Sequence, residues 1–534
     1  MLYTITEQDK SLLRQNYIDY KYRFYIKKGK QIVDLVDQIS VIGGYTVNAE
    51  SDIRRTVSLT LYFANYKNIE SKINEWLGLD FSFETGIYNT RENDYIWYPC
   101  GTYVITEANT QYDAVNNSIT LSLGDFFSKL NGTRNGQIGG APNIIIPAVL
   151  EDGTRSILRD ILTKIIKQEG GIENYIIDDI GEFYGMPQNN PNWDEYRKNN
   201  PEWNTLPYDI ELNAGCFVSD EINEITDLYP NIQKYFDVYN TFCCGMIPSC
   251  ENDSVLLDND FIQSIILATS TEGVTYDIGN IKNVTEIFGA VYDIDRMSED
   301  CTSSGNIYNV KIKDYEKYGS SDYIGFIADK SNAADMHIQI NNLGSVPIYY
   351  ENTTTSIEAG VMLPGETYVF QYKTIDKSGR FYFLGQFQPH AVCVLTSTSD
   401  DPVYTKQYFM DRYNCKNIVF RVEPDNPFVI QKLGVIPDVK TGDTYENIIS
   451  DSVAIEIAIY DNLKTSSWND IVTITTKYVP WLDVYVKVSY KKQQDNIINP
   501  YIIKNISHNL DGAPTSTITM YRFHPLYYDY SIPR

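Results

Sequence analysis

The sequence predicts a mainly β, multidomain fold with α+β insertions, on the basis of three observations. The chain has 534 residues, which is more than a single hydrophobic core supports. Apolar residues make up 43% of it and charged residues 21%, proportions that are typical of a folded soluble protein. Short segments in which apolar and polar residues alternate recur towards both ends of the chain, and this period of two indicates half-buried strands.

Residues 1–135 are predicted to form a first β domain. Arg54–Phe63 and Asn117–Gly124 alternate between apolar and polar side chains, and Tyr17–Ile26 and Tyr95–Thr106 interleave aromatic with polar residues. Asn116 and Asn117 form a reasonable hairpin turn before the last strand. Strands so close together in sequence favour a sandwich or a barrel.

Residues 136–290 are predicted to form an α+β middle region, preceded by a Gly/Asn-rich linker at Asn131–Asn143. Apolar residues at helical spacing predict two helices, with Ser/Thr caps at their starts. The predicted elements are a helix from Thr154 to Gly170, a surface loop at Asn189–Asn213, a helix from Ser219 to Pro230, and a hairpin of Lys234–Val238 and Phe242–Ile247.

The rest of the chain again reads as β. Residues 291–319 are predicted to connect back to the β body, and residues 320–395 to form a self-contained β module whose strands are separated by Gly or Pro turns. Residues 396–534 are predicted to form a second large β domain, interrupted by a helix near Ser450–Tyr460.

The charge balance argues against specific DNA binding. The formal net charge is −26, and binding through phosphates needs clustered Lys and Arg. The short run Lys27-Lys28-Gly29-Lys30 is the basic cluster that stands out. Such a surface is compatible with DNA that passes by without sticking. The 44 Tyr residues suit interfaces, but an AT-rich genome would also raise their number, and both explanations stay open.

Targeting and redox signals are weak. Met1–Arg14 is polar and lacks the apolar core of a signal peptide. Apolar runs such as Ile144–Leu150 are too short to span a bilayer, so we expect no stable membrane insertion. The eight Cys residues contain no C-x-x-C pair. The chain is therefore predicted to be made in the cytoplasm, with reduced thiols.

No catalytic, metal or cofactor constellation stands out, and we predict that the chain is not an enzyme. The four His residues, His337, His390, His508 and His524, lack the spacing of zinc ligands. Cys216 has no nearby His to activate it, and acidic pairs such as Asp178-Asp179 are expected by chance among 70 acidic residues. Aromatic residues of the module suggest one glycan-contact hypothesis, and the candidates are Tyr349, Tyr350, Tyr368 and Tyr372.

The C-terminal segment carries more specific motifs. Tyr478-Val-Pro-Trp-Leu-Asp-Val-Tyr485 is followed by Lys504-Asn-Ile-Ser-His508 and then by Thr515-Ser-Thr-Ile-Thr-Met-Tyr521. Together with Ser51-Asp-Ile-Arg-Arg55 near the start, this order resembles tail-tip or baseplate hub proteins of Firmicutes bacteriophages, which are similar in plan to the baseplate hub of contractile-tailed phages. Tyr485 is a departure, because Asn is expected after Asp-Val.

The resemblance implies a homotrimer in which each subunit contributes two tail-tube-like β barrels. It further implies a place at the tail tip of the virion, where a hub joins the sixfold tail tube to a threefold tip and lines the DNA exit channel. The implied partners are the distal tail or tail-tube protein, the tape-measure protein, and tip, spike or receptor-binding proteins. Phage DNA would pass through without specific binding, and no cofactor is expected.

Two other functions remain open on the sequence. A tail-associated lysin would fuse a cell-wall hydrolase to the hub, but the chain ends at Arg534, soon after the hub-like motifs. A host-surface glycan-binding protein would use residues 320–395, whose strand aromatics are more often core residues.

Overall fold

A computed structural model of the chain describes residues 3–522, with gaps. The gaps are 37, 39, 64–68, 77, 113–116, 141–142, 151, 182–202, 207–208, 230–231, 248–256, 277–278, 292–293, 295, 299, 320–321, 351–352, 376–377, 443–444, 446–447, 449–450 and 467–469. Strands dominate the described residues, so the prediction of a mainly β, multidomain fold is confirmed. Most of the predicted loop Asn189–Asn213 lies outside them, as do Asn116 and the chain end after residue 522.

The N-terminal third is almost entirely β. In chain order its elements are α1 (Glu7–Leu13), β1 (Tyr20–Lys28), β2 (Gln31–Val36), β3 (Ser40–Asn48), β4 (Arg55–Phe63), α2 (Ile69–Trp76), β5 (Asp80–Asn89), β6 (Asp94–Tyr112) and β7 (Asn117–Gly124). A 3-10 turn follows at Phe126–Lys129.

The middle third mixes short strands and helices. Its elements are β8 (Asn143–Ile146), α3 (Leu158–Lys164) with a π turn at Ile165–Glu169, β9 (Tyr175–Ile177), β10 (Ile210–Asn213), α4 (Val218–Thr226), β11 (Ile232–Phe236), β12 (Phe242–Met246), α5 (Asn259–Ile265), β13 (Gly273–Tyr276) and β14 (Val284–Phe288).

The last part returns to β. Its elements are β15 (Met297–Ser298), β16 (Cys301–Ser304), β17 (Ile307–Val310), β18 (Tyr323–Ile327), β19 (His337–Ile340), β20 (Val346–Tyr350), β21 (Thr367–Ile375), β22 (Ser378–Gln386), β23 (His390–Thr396), α6 (Lys406–Tyr413), β24 (Asn417–Val422), α7 (Ile430–Leu433), β25 (Pro437–Lys440), α8 (Asp451–Thr465), β26 (Asp470–Lys477), β27 (Lys487–Tyr490), β28 (Asn499–Asn509) and β29 (Thr515–Tyr521).

A twelve-stranded sheet joins the two ends of the chain. Its strand order is β13-β26-β29-β28-β3-β4-β7-β6-β5-β1-β2, and β27 pairs with β28 beside this path. β28 and β3 connect the C-terminal strands to the N-terminal ones. Side chains from both ends, including Phe83, Tyr45 and Tyr478, share one hydrophobic core. The first and final β segments of the sequence thus belong to one continuous sheet.

The middle region has its own core. Its first helix, α3, begins later than predicted, and its second helix, α4, begins earlier. α3 starts after Ile157, because the Thr154 hydroxyl donates to Asp152 (2.6 Å) in a turn instead of capping the helix. α4 starts after Phe217, whose N–H donates to Asp220 (2.7 Å), so Ser219 lies inside the helix. The predicted caps at Thr154 and Ser219 are therefore wrong.

The segment between the first β domain and the middle region is not a free linker. Ile138 N–H donates to the Cys216 carbonyl and Val218 N–H to the Gly136 carbonyl, both at 2.9 Å. Phe127 and Leu130 belong to the core of the middle region. The N-terminal β domain therefore ends near Gly124, earlier than the predicted boundary at 135.

The module that was predicted at 320–395 is an eight-stranded sheet with the order β15-β18-β21-β22-β20-β19-β17-β16. β17 pairs in parallel with β19, so the sheet includes residues before 320. β23 instead pairs with β14 in a four-stranded sheet, β24-β23-β14-β25, against which α8 packs. The predicted boundaries at 320 and 395 cut through these two sheets, because each is completed by strands distant in sequence.

Candidate functional site

One face of the twelve-stranded sheet is buried in the core and the other is open to solvent. In β4 the side chains of Val57, Leu59 and Leu61 are buried, whereas those between them point outward. The same alternation runs through β3, β7, β26, β28 and β29. The outward positions of these six strands form the candidate functional surface.

Outward positions near the strand ends carry Ile42, Tyr62, Ile471, Lys477 and Tyr521, and the part between them carries hydroxyl and amide groups without charge. We call this part the hydroxyl face, and it consists of Thr46, Asn48, Thr56, Ser58, Thr60, Thr120, Ser122, Thr473, Thr475, Asn505, Ser507, Asn509, Thr515, Thr517 and Thr519. Its side chains lie directly opposite one another across the strands. One row runs Thr475–Thr517–Ser507–Thr46–Thr56.

Hydrogen bonds between hydroxyl groups tie neighbouring strands together on this face. Thr60 and Thr120 are 2.8 Å apart between their Oγ1 atoms, and the pairs Thr473–Thr519 and Thr475–Thr517 are each 3.3 Å apart. Lys477 and Glu107 lie at the margins, beside Thr515 and Ser122. Such a surface presents many weak hydrogen-bonding groups and neither attracts nor repels phosphate strongly.

The join between β28 and β3 sits in the middle of this face. Asn509 pairs with Gly44 and Ser507 with Thr46 in an antiparallel ladder. Gly44 is required there, because a Cβ at this position would lie 1.9 Å from the His508 carbonyl oxygen. The absent side chain allows the two strands to approach.

A network of buried hydroxyl groups lies beneath the join. The hydroxyl groups of Tyr45 and Tyr478 are 3.0 Å apart, and Thr85 Oγ1 is 2.9 Å from the Tyr478 hydroxyl. Burial raises the pKa of both tyrosines well above the ordinary value, so they stay neutral. The network connects β3 and β5 with the segment that precedes β27.

His508 is also buried at the join. Its ring packs against Tyr45, with 4.2 Å between ring centroids, and its Nδ1 is 2.8 Å from Ser516 Oγ. Burial lowers the pKa of His508 from 6.5 to about 3. The imidazole is therefore neutral at physiological pH and serves in packing.

Two sequence motifs that are far apart in the chain meet beside this core. Arg55 is buried, forms an ion pair with Asp483 and donates to the Phe236 carbonyl. Arg54 stacks on Tyr235, with its Cζ 3.7 Å from the ring centroid. The Arg-Arg and Leu-Asp-Val motifs therefore lock the N-terminal strands, the middle region and the C-terminal segment together.

The four predicted glycan-contact tyrosines do not form a site. Tyr368 and Tyr372 are buried in the core of the eight-stranded sheet, where Tyr372 stacks on Tyr318 with 4.9 Å between centroids. Tyr349 and Tyr350 are half-buried neighbours on β20, so their side chains point to opposite faces. The hypothesis of a joint surface is wrong, because strand alternation and core packing separate its members.

Several titratable groups elsewhere are buried or half-buried. His390 Nε2 lies 2.9 Å from Glu286 in a buried pair, and Cys216 is half-buried, where burial raises the pKa of its thiol. Sequence reasoning did not single out Glu221 on α4, whose pKa is raised by burial and by a hydrogen bond with Glu169. Among the described residues, no cluster of three or more His, Cys, Asp or Glu could hold a metal ion.

Within the described part of the chain, no helix is both long and apolar enough to cross a membrane. The 15-residue α8 is the longest of the helices given above.

The chain is similar to one protein family over part of its length and to solved structures from phage tails. The family described as "Domain of unknown function (DUF5048)" matches residues 425–527. No curated protein matches the sequence.

Three solved structures illustrate the likeness. The 43 kDa tail protein of prophage MuSo2 from Shewanella oneidensis is 9% identical, with 93% of this chain and 98% of that one covered and a TM-score of 0.40. The prophage tail protein gp18 from Listeria monocytogenes is 10% identical, with 93% and 94% covered and a TM-score of 0.40. The tail protein from Neisseria meningitidis MC58 is 8% identical, with 94% and 96% covered and a TM-score of 0.40.

The structural neighbours are therefore phage tail proteins, and complexes that contain VgrG are also among them. This is the class of protein that the C-terminal motifs resemble. The assignment to Firmicutes phages stays a prediction.

Proposed function

We propose that the chain is a structural hub of a phage tail tip or baseplate. In this proposal three copies form a ring that joins a sixfold tail tube to a threefold tip, and the hydroxyl face lines the path by which DNA leaves the virion. The hub motifs at both ends of the chain support this function, as does the single sheet that connects those ends.

The observation that carries the proposal is the scarcity of charge on the outward side of the six strands, where Lys477 lies at the margin, within a chain whose net charge is −26. Lys or Arg on a channel wall would hold DNA phosphates, and a dense row of carboxylates would repel them. Thr, Ser and Asn side chains remain hydrated and bind phosphate only weakly. A wall of this kind permits a duplex to slide.

The proposed partners follow from the place in the virion. A tail-tube or distal tail protein would contact one end of the ring, and a tip, spike or receptor-binding protein the other. The tape-measure protein would occupy the channel before DNA does. We propose no cofactor and no specific DNA site.

Cryo-EM of assembled tails tests the arrangement. We expect three copies of the chain around the axis, with Thr46, Ser507 and Thr517 facing the channel. Density for one copy or six, or a hydroxyl face turned outward, would contradict the proposal.

A charge-insertion experiment tests the role of the face. Ser507→Lys with Thr517→Lys should slow DNA release from assembled particles, and added salt should relieve the effect. The matched control places lysines at two exposed positions, Ser304 on β16 and Thr354 in the bend after β20. Equal slowing by both variants would argue against a channel wall.

We also propose that the chain has no cell-wall hydrolase activity, since the described residues contain no zinc cluster and the sequence offers no Ser/His or Cys/His constellation. A zymogram of purified protein on Gram-positive cell walls should show no clearing. Clearing that a single substitution abolishes would overturn this part of the proposal.

A further inference from the structure

The twelve-stranded sheet contains the same arrangement of five strands twice. In the N-terminal half, the order of pairing is β3-β4-β7-β6-β5, and in the C-terminal half it is β13-β26-β29-β28-β27. All of these pairs are antiparallel. The two halves are therefore topologically equivalent. In this correspondence β13 is the counterpart of β3, and β28 is the counterpart of β6.

A shared irregularity fixes the equivalence residue by residue. β6 is bulged between Ile105 and Glu107 where it pairs with β7, and β28 is bulged between Ile503 and Asn505 where it pairs with β29. Bulges of this kind are specific features of a strand pair. Aligning them matches Asn109 with Ser507.

The same alignment extends to the strands at the other side of each half. Thr46 pairs with Thr56 and Thr275 with Ile471, at equivalent places along β4 and β26. Gly44 then corresponds to Gly273, and the sequences Gly44-Tyr-Thr-Val47 and Gly273-Val-Thr-Tyr276 share Gly and Thr at the same positions.

The two halves differ in what covers their edges. The second part of β28 pairs with β3, whereas the equivalent part of β6, from Glu107 to Tyr112, pairs with β7 on one side and with no described strand on the other. β13 likewise pairs with β26 alone among the described strands. A cleft of about 570 Å³ lies beside Val104–Ala108, next to the open edge of β6.

Gly273 supplies an independent observation. Gly44 is needed because β28 approaches it so closely, but a Cβ at Gly273 would meet its nearest atom, Thr473 Cβ, at 3.9 Å. Within one chain there is therefore room for a larger residue than glycine at position 273. A strand that approached β13 as β28 approaches β3 would require glycine there.

We propose that β13 of one copy of this chain adds to the open half of β6 in the next copy, in the register that β3 and β28 show within the chain. Asn109 then faces Thr275 of the neighbouring copy, and Gln111 faces its Gly273. The occupant of the edge is a second copy because the chain itself contains the equivalent pair. The inference rests on the proposed ring and names the contact that closes it.

Engineered cysteines test the register. Ala49 N–H donates to Lys504 and Leu510 N–H to Gly43, so Thr46 and Ser507 form a non-hydrogen-bonded pair. Such pairs have Cα atoms about 4.5 Å apart, within the range of a disulfide. Asn109→Cys and Thr275→Cys in one chain should give, on oxidation, covalent dimers and closed rings on a non-reducing gel.

Controls separate this contact from chance collision. A mixture of the two single variants should give dimers only, because each chain then carries one reactive edge. Thr120→Cys with Thr275→Cys should give no cross-link, since Thr120 lies opposite Asn109 but on β7, both of whose edges are paired. Wild-type protein, oxidised in the same way, shows whether the native cysteines form cross-links by themselves.

A second variant tests the glycine. Gly273→Ala should leave the melting temperature of the single chain unchanged and weaken its association by about tenfold or more, the effect of about 1.4 kcal/mol. Gly344→Ala, at a glycine with open space around it, should change neither property.

The outcomes distinguish the two proposals. Rings seen by mass photometry, without a cross-link between positions 109 and 275, would overturn this contact and leave the proposed ring intact. Monomers alone, without a cross-link, would overturn both. Full association of the Gly273→Ala variant would also overturn the contact.

Discussion

Tyr485 has a left-handed backbone conformation (φ 59°), which is unusual for a residue with a large side chain. The hub motif leads one to expect Asn here, and Asn adopts this conformation more readily than most residues. The Tyr485 side chain is buried beneath Arg54 and Lys504, whose charged groups lie 5.2 and 5.0 Å from its ring centroid. Packing therefore offsets the backbone strain.

We expect Tyr485→Asn to destabilise the protein by about 1–4 kcal/mol, because loss of a buried aromatic side chain (about 3–5 kcal/mol) exceeds the relief of strain (about 1–2 kcal/mol). Tyr485→Phe is the matched control and should be nearly neutral, since the hydroxyl makes only a 3.4 Å contact with Ala49. Urea unfolding measures both. A stabilised Asn variant would show that strain dominates.

His508 should make the protein acid-sensitive. Burial lowers its pKa from 6.5 to about 3, so between these values the unfolded chain binds a proton that the folded chain does not. Stability from this group is fully present above pH 6.5 and is lost as the pH falls towards 3. His508→Gln should flatten the dependence of unfolding free energy on pH in this window.

His337→Gln serves as the control, because His337 is only half-buried on β19 of the separate eight-stranded sheet. An unchanged pH slope for His508→Gln, with the control variant behaving like wild type, would mean that other groups cause the acid sensitivity.

At the scale of elements, the junction of β3 and β28 depends on a close approach at one glycine. Gly44→Ala would bring a Cβ within 1.9 Å of the His508 carbonyl oxygen, and backbone on both strands must shift. We expect a loss of about 3 kcal/mol, at the upper end of ordinary overpacking. Thermal unfolding of the variant measures it.

Gly139→Ala is a suitable comparison, because nothing lies within 4 Å of a Cβ at that position. Hydrogen exchange would locate the effect, and we expect faster exchange in β28 and β3. A Gly44→Ala variant as stable as the comparison would contradict the close approach.

At the scale of the whole molecule, the eight-stranded sheet is a separable unit. Its strands pair only with one another among the described residues. The two connections to the rest of the chain lie side by side, since Gly289 N–H donates to the Pro389 carbonyl at 2.8 Å. A fragment of residues 291–389 should therefore fold alone, with a cooperative thermal transition.

The shorter fragment 320–395 is the matched comparison. It lacks β17, which pairs with β19, and it includes β23, which belongs to another sheet. We expect it to be unfolded by circular dichroism, while the chain without 291–389, closed by a short Gly/Ser linker, keeps its remaining structure. A well-folded 320–395 fragment would contradict the unit defined by these strand pairs.

Local patterns in the sequence were sufficient to find most strands. Arg54–Phe63 and Asn117–Gly124 match β4 and β7 to within a residue, because alternation of apolar and polar side chains is a property of the strand itself. The uncharged polar positions of these strands were also visible, and they became part of the hydroxyl face. Helix starts were harder to predict. Asp152 accepts a hydrogen bond from the Thr154 hydroxyl, and Asp220 accepts one from the Phe217 N–H, so neither helix begins at its predicted cap.

The pairing partner of a strand depends on residues that are distant in the chain. Nothing near Ser40–Asn48 indicates that it pairs with Asn499–Asn509, and nothing near Ile307–Val310 indicates His337–Ile340 as its partner. The sequence alone therefore determined the period, the class of fold and the motifs that resemble a hub. The tertiary structure decided the continuity of the sheet, the domain limits and the open edges, because strand pairing depends on contacts between residues far apart in sequence, which no local period encodes.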